Sequence, residues 1–227
     1  MSVKIDLKIF LWIIIFYFFH QAELYVLLIF FAFVHEIGHL TTGLLLGYEP
    51  SGIRITPVGV SINFKEKRNS YNQKIGKGNK RDIEEMIIAL AGPMTNFGII
   101  GICYLIGLKT SNLYDANFLL GVFNLCPIYP LDGGRIFKSI GNLLWGRKKS
   151  WQITNGVSNA IMIGLSVTFS IAILYFHNIG IVIMSIYLWG IVIRENRIYE
   201  RRMKLYEQIE AYDQKEAKRE EQSIGKY

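Results

Sequence analysis

His35, Glu36 and His39 form a His-Glu-x-x-His pattern, the most chemically specific feature of the sequence. In an α-helix, residues four apart lie almost one above the other, so the two histidines can present imidazole nitrogens to one metal ion. Glu36 then stands beside that ion, where a carboxylate can take a proton from a bound water whose pKa the metal lowers to about 7. The pattern predicts a helix with a zinc site and the chemistry of peptide-bond hydrolysis.

The residues around this pattern are apolar, which places the predicted zinc site inside a membrane. An apolar run extends from residue 22 to residue 46 and contains the whole pattern. Ionisable residues inside a membrane span are costly, and they are candidates for function by default. The alternative is a helix that carries two histidines and a glutamate by coincidence. With only four histidines in the chain, chance would produce the pattern in roughly one sequence in a hundred or fewer.

A second motif, at residues 124–135, supplies the third candidate ligand. Pro127 and Pro130 cannot both lie in a regular helix, so we expect the backbone to break there. Broken backbone at membrane depth is tolerated where protein buries it or where it lines a wet cavity. Asp132 follows the break, and a carboxylate can complete a two-histidine zinc site while leaving the fourth position for water. The alternative is an aspartate at the membrane surface that caps a helix resuming at Arg135.

The composition indicates a polytopic membrane protein. The chain has 227 residues, of which 51% are hydrophobic, and its net charge is +7. The predicted fold class is an all-α membrane protein with about six transmembrane helices and a small β-hairpin between the second and third. We expect a transmembrane domain at residues 1–194 and a charged helical tail at residues 195–227. The predicted spans are residues 9–19, 22–46, 83–108, 117–126, 153–176 and 179–193.

The distribution of basic residues predicts the orientation of these spans. Lys and Arg are concentrated between the second and third spans, between the fourth and fifth, and in the tail. They are absent from the first-to-second and fifth-to-sixth connections. We expect the protein to lie in the cell membrane. By the positive-inside rule, both termini are expected in the cytoplasm. The positive charge is explained by this topology, so we expect no nucleic-acid partner.

The connection after the second span predicts the β-hairpin. Residues 53–56 and 58–64 alternate apolar and polar side chains, and Pro57 together with Gly59 interrupts the pattern, which indicates two short strands. An exposed strand edge can hold an extended peptide substrate, and a loop against the membrane surface is the open alternative. The basic stretch at residues 65–81 is expected to form a cytoplasmic loop.

Small residues at 89–96 predict that the third span packs closely against the catalytic helix and lines the same cavity. This span is expected to begin near the acidic residues Asp82, Glu84 and Glu85, which suit a helix N-terminus. Cys103 and Cys126 are expected to be free thiols in apolar segments, and a role for Cys126 near the metal stays open.

Three motifs, in this order, resemble those of the site-2 protease family of intramembrane zinc metalloproteases. The motifs are His35-Glu36-Ile37-Gly38-His39, Ala91-Gly92-Pro93-Met94-Thr95-Asn96 and Asn124-x-x-Pro127-x-x-Pro130-Leu131-Asp132-Gly133. The likeness covers residues 8–194 and is greatest to the stage IV sporulation protein FB branch, because six spans are expected without an inserted PDZ domain.

This resemblance implies one zinc ion per chain, held by His35, His39 and Asp132, with Glu36 as general base. It also implies that Asn124 binds substrate or stabilises the oxyanion. The implied substrate is a membrane-associated pro-protein, such as the precursor of a sporulation sigma factor. Membrane lipid is the expected surrounding, whereas regulatory membrane proteins and self-association stay open.

The chain departs from the bacterial members of that branch after the last span. Those proteins usually carry a CBS domain there, whereas residues 195–227 are too few to fold one. We therefore expect no nucleotide regulation through a CBS domain within this chain, and the recruitment of substrate stays open. The tail interleaves acidic and basic residues, which predicts a solvated helix that continues the sixth span.

Two other functions fit parts of the sequence. A proteolytically silent scaffold would bind membrane proteins through the same cavity, but the intact Glu36 argues against it. A metal transporter would need further polar residues along several spans, and these are scarce.

Overall fold

A computed structural model describes residues 2–18, 22–56, 59–65, 75–108, 111–176 and 179–224. Within this part of the chain, helices surround a buried polar centre, and a small sheet lies at one end. The helices are α1 (Lys8–Phe18), α2 (Ala22–Leu45), α3 (Ile75–Leu105), α4 (Ser111–Asn124), α5 (Asp132–Trp145), α6 (Arg147–Phe176) and α7 (Ile179–Ile224). The strands are β1 (Ser2–Ile5), β2 (Pro50–Thr56) and β3 (Gly59–Phe64).

The all-α membrane fold predicted from the sequence is confirmed. Six helices coincide with the six apolar runs, and α5 follows the break in the fourth. Among the described residues, three helical segments are long and apolar enough to cross a membrane: Tyr25–Leu45, Asn79–Leu105 and Arg147–Tyr175. At 1.5 Å per residue, α1 and α4 reach only about 16 and 21 Å, less than the roughly 30 Å of a bilayer core.

The predicted start of the third span is wrong, because α3 begins at Ile75, well before the acidic residues. Arg81 pairs with Glu85 one turn later, at 3.1 Å, which supports a continuous helix through this charged stretch. The other two acids have partners on neighbouring elements. Asn142 Nδ2 donates to Asp82 Oδ1 at 2.8 Å, and Tyr48 Oη donates to Glu84 Oε2 at 2.7 Å.

The predicted β-hairpin is confirmed, and the structure adds a third strand. β2 pairs antiparallel with β3, and β1 pairs parallel with the other edge of β2. No sequence pattern indicates β1, because four residues are too few to show strand alternation. Phe64 anchors the sheet to α2 by packing on Gly43. The turn residues 57 and 58 and most of the predicted basic loop, residues 66–74, lie outside the described residues.

The break predicted from the two prolines is also confirmed, since α4 ends at Asn124 and α5 begins at Asp132. Ile128 anchors the connecting loop, because its side chain is almost fully buried in a core with Met162, Leu188 and Val192. The backbone N–H of Tyr129 donates to Ser158 Oγ of α6 at 2.9 Å. The loop that delivers Asp132 is therefore held by both α6 and α7.

Helix α7 runs without interruption into the charged tail, so the expected domain boundary after residue 194 falls within one helix. Polar contacts between α7 and α6 continue toward the tail. Asn196 Nδ2 donates to Asn159 Oδ1 at 3.0 Å, and Lys148 Nζ lies 2.6 Å from Glu210 Oε1. The tail is thus docked for part of its length.

Candidate metal centre

His35, His39 and Asp132 bring three ligand atoms together at the centre of the fold. His35 Nε2 lies 3.0 Å from Asp132 Oδ2, and His39 Nε2 lies 3.1 Å both from that oxygen and from His35 Nε2. All three residues are buried. Tetrahedral zinc with bonds of about 2.0–2.1 Å requires its ligand atoms to be about 3.3 Å apart. The triangle therefore has the size that a zinc ion requires.

Asp132 reaches the centre from the first residue of α5. The N-cap position of α5 is Leu131, and no side chain makes a capping hydrogen bond there. The alternative in which Asp132 caps a helix resuming at Arg135 is therefore wrong. Its carboxylate instead turns Oδ2 toward the histidines, while Oδ1 accepts a long bond from Arg135 Nη1 at 3.4 Å. Arg135 thereby helps to orient the carboxylate.

Each histidine uses its other ring nitrogen as a donor. His39 Nδ1 lies 2.6 Å from the carbonyl oxygen of Ile88, and a carbonyl can only accept a hydrogen bond. His35 Nδ1 donates to Asn96 Oδ1 at 2.6 Å. In a neutral imidazole one nitrogen carries the hydrogen and the other a lone pair. Both Nε2 atoms therefore direct lone pairs into the centre.

These tautomers favour a cation in the centre. When both imidazoles are neutral, their two Nε2 lone pairs and a carboxylate oxygen converge, with the three atoms within 3.1 Å of one another and no hydrogen to bridge them. Acceptors so close in a buried site repel one another unless they share a positive charge. The donor set of two imidazoles and one carboxylate is typical of catalytic zinc.

Gly92 forms the floor of the centre, where α3 crosses α2. A Cβ on Gly92 would overlap both Nε2 atoms of the two histidines. The absence of a side chain therefore leaves the space in which the three ligand atoms meet. On α2, Gly38 directly precedes His39 and packs against Thr95 and the carbonyl of Ala91, which brings α2 and α3 together. The segment at residues 89–96 lines the cavity, as the sequence predicts.

Glu36 lies near the three ligands, and it is less buried than they are. The groups that interact with it electrostatically are His35, His39, Asp132 and Arg135, so the four residues predicted for the chemistry share one region. Asn124 is different, because its Nδ2 donates to the carbonyl of Leu120 in its own helix at 3.0 Å. Both cysteines are free, and Cys126 Sγ is directed to the carbonyl of Val122 at 3.7 Å.

Comparison with known proteins finds similar sequences among metalloproteases. A zinc metalloprotease of Methanocaldococcus jannaschii is 28% identical over 194 residues, which cover 79% of this chain and 51% of that protein. Stage IV sporulation protein FB of Bacillus subtilis is 25% identical over 125 residues, covering 52% of this chain and 39% of that protein. The chain spans about half or less of the length of these relatives.

The fold also matches a solved structure. The site-2 protease from Methanocaldococcus jannaschii superposes with a TM-score of 0.61 at 22% identity, over 85% of this chain and 89% of that one. The sequence model of peptidase family M50 matches residues 23–116 and 110–169, a region that includes the histidine motif, the Gly92 segment and Asp132. This match extends over more than half of the chain, and the chain therefore belongs to peptidase family M50.

Proposed function

We propose that this protein is an intramembrane zinc endopeptidase of the site-2 protease type, with one zinc ion held by His35, His39 and Asp132. The proposal rests on the convergence of three acceptor atoms. Two are the Nε2 atoms of His35 and His39, whose rings donate through Nδ1 to other groups, and the third is a carboxylate oxygen of Asp132. When bound, zinc activates a water molecule as a nucleophile and polarises a carbonyl group.

Glu36 is the proposed general base and acid. As the water oxygen attacks the scissile carbonyl carbon, the Glu36 carboxylate takes a proton from that water. The carboxyl group then donates this proton to the amide nitrogen as the carbon–nitrogen bond breaks, and the carboxylate is regenerated. Arg135 keeps Asp132 oriented toward the histidines during these steps. The apolar helices around the centre limit the access of water.

Asn124 is the proposed substrate-binding residue. It ends α4 at the start of the loop that delivers Asp132, so it lies beside the break in the backbone. Its amide nitrogen already donates to Leu120. Accepting a backbone N–H of the substrate leaves this bond intact, whereas donating to an oxyanion requires the side chain to rotate. We therefore favour a role in holding the extended substrate.

The hairpin is proposed to hold the other side of the substrate. β2 is paired on both edges, by β1 and by β3, so an extended peptide can be added at the outer edge of β1 or of β3, and the β3 edge is the one that belongs to the hairpin. Deleting residues 50–64 should abolish cleavage and leave the zinc content unchanged. Cleavage at the wild-type rate would instead support a loop that lies passively against the membrane surface.

The substrate and orientation are proposed from the likeness to stage IV sporulation protein FB and from the loop charges. We propose a substrate that is a membrane-associated pro-protein, such as a sigma-factor precursor, cleaved near the cytoplasmic side. Both termini are then in the cytoplasm, and α7 carries the tail into it. The chain itself lies in a cell membrane, with its exposed apolar side chains toward lipid.

The function is tested with the purified protein in lipid vesicles that contain a library of single-span peptides. Wild-type protein should produce new peptide termini that mass spectrometry detects, and Glu36→Gln should reduce their rate of formation about 10²–10⁴-fold. Both proteins should hold the same amount of zinc, because Glu36 is not a ligand. Equal cleavage by the two proteins would overturn the proposal. Zinc binding without any cleavage would favour the silent scaffold.

A further inference from the structure

A chain of hydrogen bonds connects His35 to helix α4 across α3. His35 Nδ1 donates to Asn96 Oδ1 at 2.6 Å, Asn96 Nδ2 donates to Asn117 Oδ1 at 3.2 Å, and Asn117 Nδ2 donates to the carbonyl of Leu113 at 2.9 Å. We call these two asparagines and the carbonyl the amide relay. Neither asparagine has any exposed surface. Two buried amides in a membrane protein are costly, so their arrangement invites a functional explanation.

The relay has a fixed direction, which its last member determines. The Leu113 carbonyl can only accept, so Asn117 must turn its amide nitrogen toward it and its oxygen toward α3. Asn96 must then turn its own nitrogen toward that oxygen, which leaves its oxygen facing His35. An amide oxygen also only accepts, so the hydrogen of His35 resides on Nδ1. A backbone carbonyl three hydrogen bonds away thus keeps the lone pair of Nε2 directed at the metal centre.

We propose that Asn117 is a positioning residue for the zinc centre, which it serves by fixing the tautomer of His35 through Asn96. This inference rests on the proposed zinc ligands. His39 needs no such device, because its Nδ1 donates directly to the carbonyl of Ile88. The two histidines are therefore set in the same tautomer by different means, one by a neighbouring carbonyl and the other by the relay.

Loss of Asn117 should release the Asn96 amide. Without the amide oxygen of residue 117, the Asn96 amide can rotate by half a turn and present its nitrogen to His35. Nδ1 then becomes the acceptor and the hydrogen moves to Nε2, where it blocks the lone pair that a metal requires. Part of the protein would hold the wrong tautomer, and zinc would have to reverse it on binding.

Asn117→Leu tests this mechanism, because leucine has a similar size and no hydrogen-bonding group. Zinc affinity is measured by competition with a chelator in the detergent-purified protein. We expect about a 10–100-fold weaker affinity, as found when partners of metal-bound histidines are removed. An unchanged affinity would overturn the proposal.

A second substitution separates tautomer control from packing. Asn96→Asp places a carboxylate beside His35, and both of its oxygens accept, so rotation no longer matters. Asn117→Leu with Asn96→Asp should therefore recover most of the zinc affinity. A purely structural role of Asn117 predicts no recovery, because aspartate restores no lost packing, and such a result would also overturn the proposal. If Asn117→Leu does not fold, Asn117→Ala with and without Asn96→Asp provides the same comparison.

Asn159→Leu is the matched control. Asn159 accepts a hydrogen bond from Asn196 at 3.0 Å between α6 and α7, away from the described metal ligands. This variant should weaken helix packing and leave zinc affinity unchanged, and an equal loss of affinity would contradict the specific role of Asn117. Wild type and Asp132→Ala are measured in parallel. If the wild type binds no zinc, the proposed function fails. If Asp132→Ala loses zinc but Asn117→Leu binds it as tightly as the wild type, the relay fails and the proposed function stands.

Discussion

Among the residues that the structure describes, two asparagine pairs join helices, and one of these two is connected to the metal centre. Asn96 and Asn117 link α3 to α4 in the interior, with His35 at one end and a backbone carbonyl at the other. Asn159 and Asn196 link α6 to α7 near the start of the tail, and both are partly exposed. The same chemical pair can hold two helices together or transmit a donor–acceptor direction. The groups at its two ends decide which.

The surroundings of the two pairs differ in the same way. Around the first, glycine at position 92 leaves space for the ligands, and each polar atom of the relay has a partner of defined polarity. Beyond the second pair, toward the tail, α6 and α7 are joined by long charged side chains, with Lys148 against Glu210 and Arg202 over the ring of Trp151. We expect substitutions in the first region to alter zinc binding strongly and those in the second to alter stability slightly.

The largest effect is expected from Gly92→Ala. The added Cβ would overlap both ligand nitrogens, so the histidines must move apart and zinc affinity should fall at least about 100-fold. The matched control is Gly98→Ala on the same helix, where a Cβ meets no atom within 4 Å. That variant should keep zinc affinity and gain up to about 1 kcal/mol of helix stability. Equal zinc affinities in the two variants would contradict the proposed floor of the site.

A smaller effect is expected from the pH dependence of stability at Lys138, which lies between the two regions. Burial lowers the pKa of Lys138 from 10.5 to about 8, and its Nζ lies 4.0 Å from the ring centre of Trp151. The unfolded chain therefore binds more protons than the folded protein between these values. Stability should rise by about 1–3 kcal/mol as the pH increases from 8 toward 10.5.

The comparison variant is Lys138→Met. The free energies of unfolding of the two proteins are measured by chemical denaturation in detergent across the same pH range. Methionine keeps the length of the side chain without a titratable group. The stability of the wild type relative to this variant should therefore rise between pH 8 and 10.5 and stay constant below pH 8. A constant difference between the two proteins at all pH values would show that burial of the charge is not the cause.

The smallest effect is expected from Lys148→Ala, which removes the ion pair between α6 and the tail. Both side chains are more than a third exposed, 35% for Lys148 and 53% for Glu210, so water and salt screen the pair. The free energy of unfolding should fall by less than about 1 kcal/mol, and the difference should vanish at high salt. A larger loss, or one insensitive to salt, would mean that the tail stabilises the fold by other contacts.

The convergence of His35, His39 and Asp132 could be predicted from the sequence because its signals are local. The four-residue spacing of His35 and His39 is a helix repeat, and Pro127 and Pro130 mark the break that brings Asp132 inward. The relay could not be predicted, because Asn96 and Asn117 meet only when α3 packs on α4. Both are amides within predicted spans, and such residues are functional candidates by default. Asn96 also ends the second motif of the family resemblance, but Asn117 has no such signal.

Other features depended on tertiary contacts that a local pattern does not contain. The contribution of Gly92 requires the crossing of α2 and α3, although its place among small residues indicated close packing. The start of α3 was predicted wrongly because acidic residues also stabilise helix interiors when bases lie one turn before them, as Arg81 does for Glu85. The pairing of β1 with β2 joins residues distant in sequence.

The zinc content of the detergent-purified protein, measured beside an Asp132→Ala variant, tests the central claim most directly. Asp132 supplies the one carboxylate oxygen among the three convergent ligand atoms. We expect about one zinc per chain in the wild type and a sharp reduction in the variant, with both proteins folded. A folded wild type without zinc, or a variant that retains the full zinc content, would contradict the assignment of these ligands.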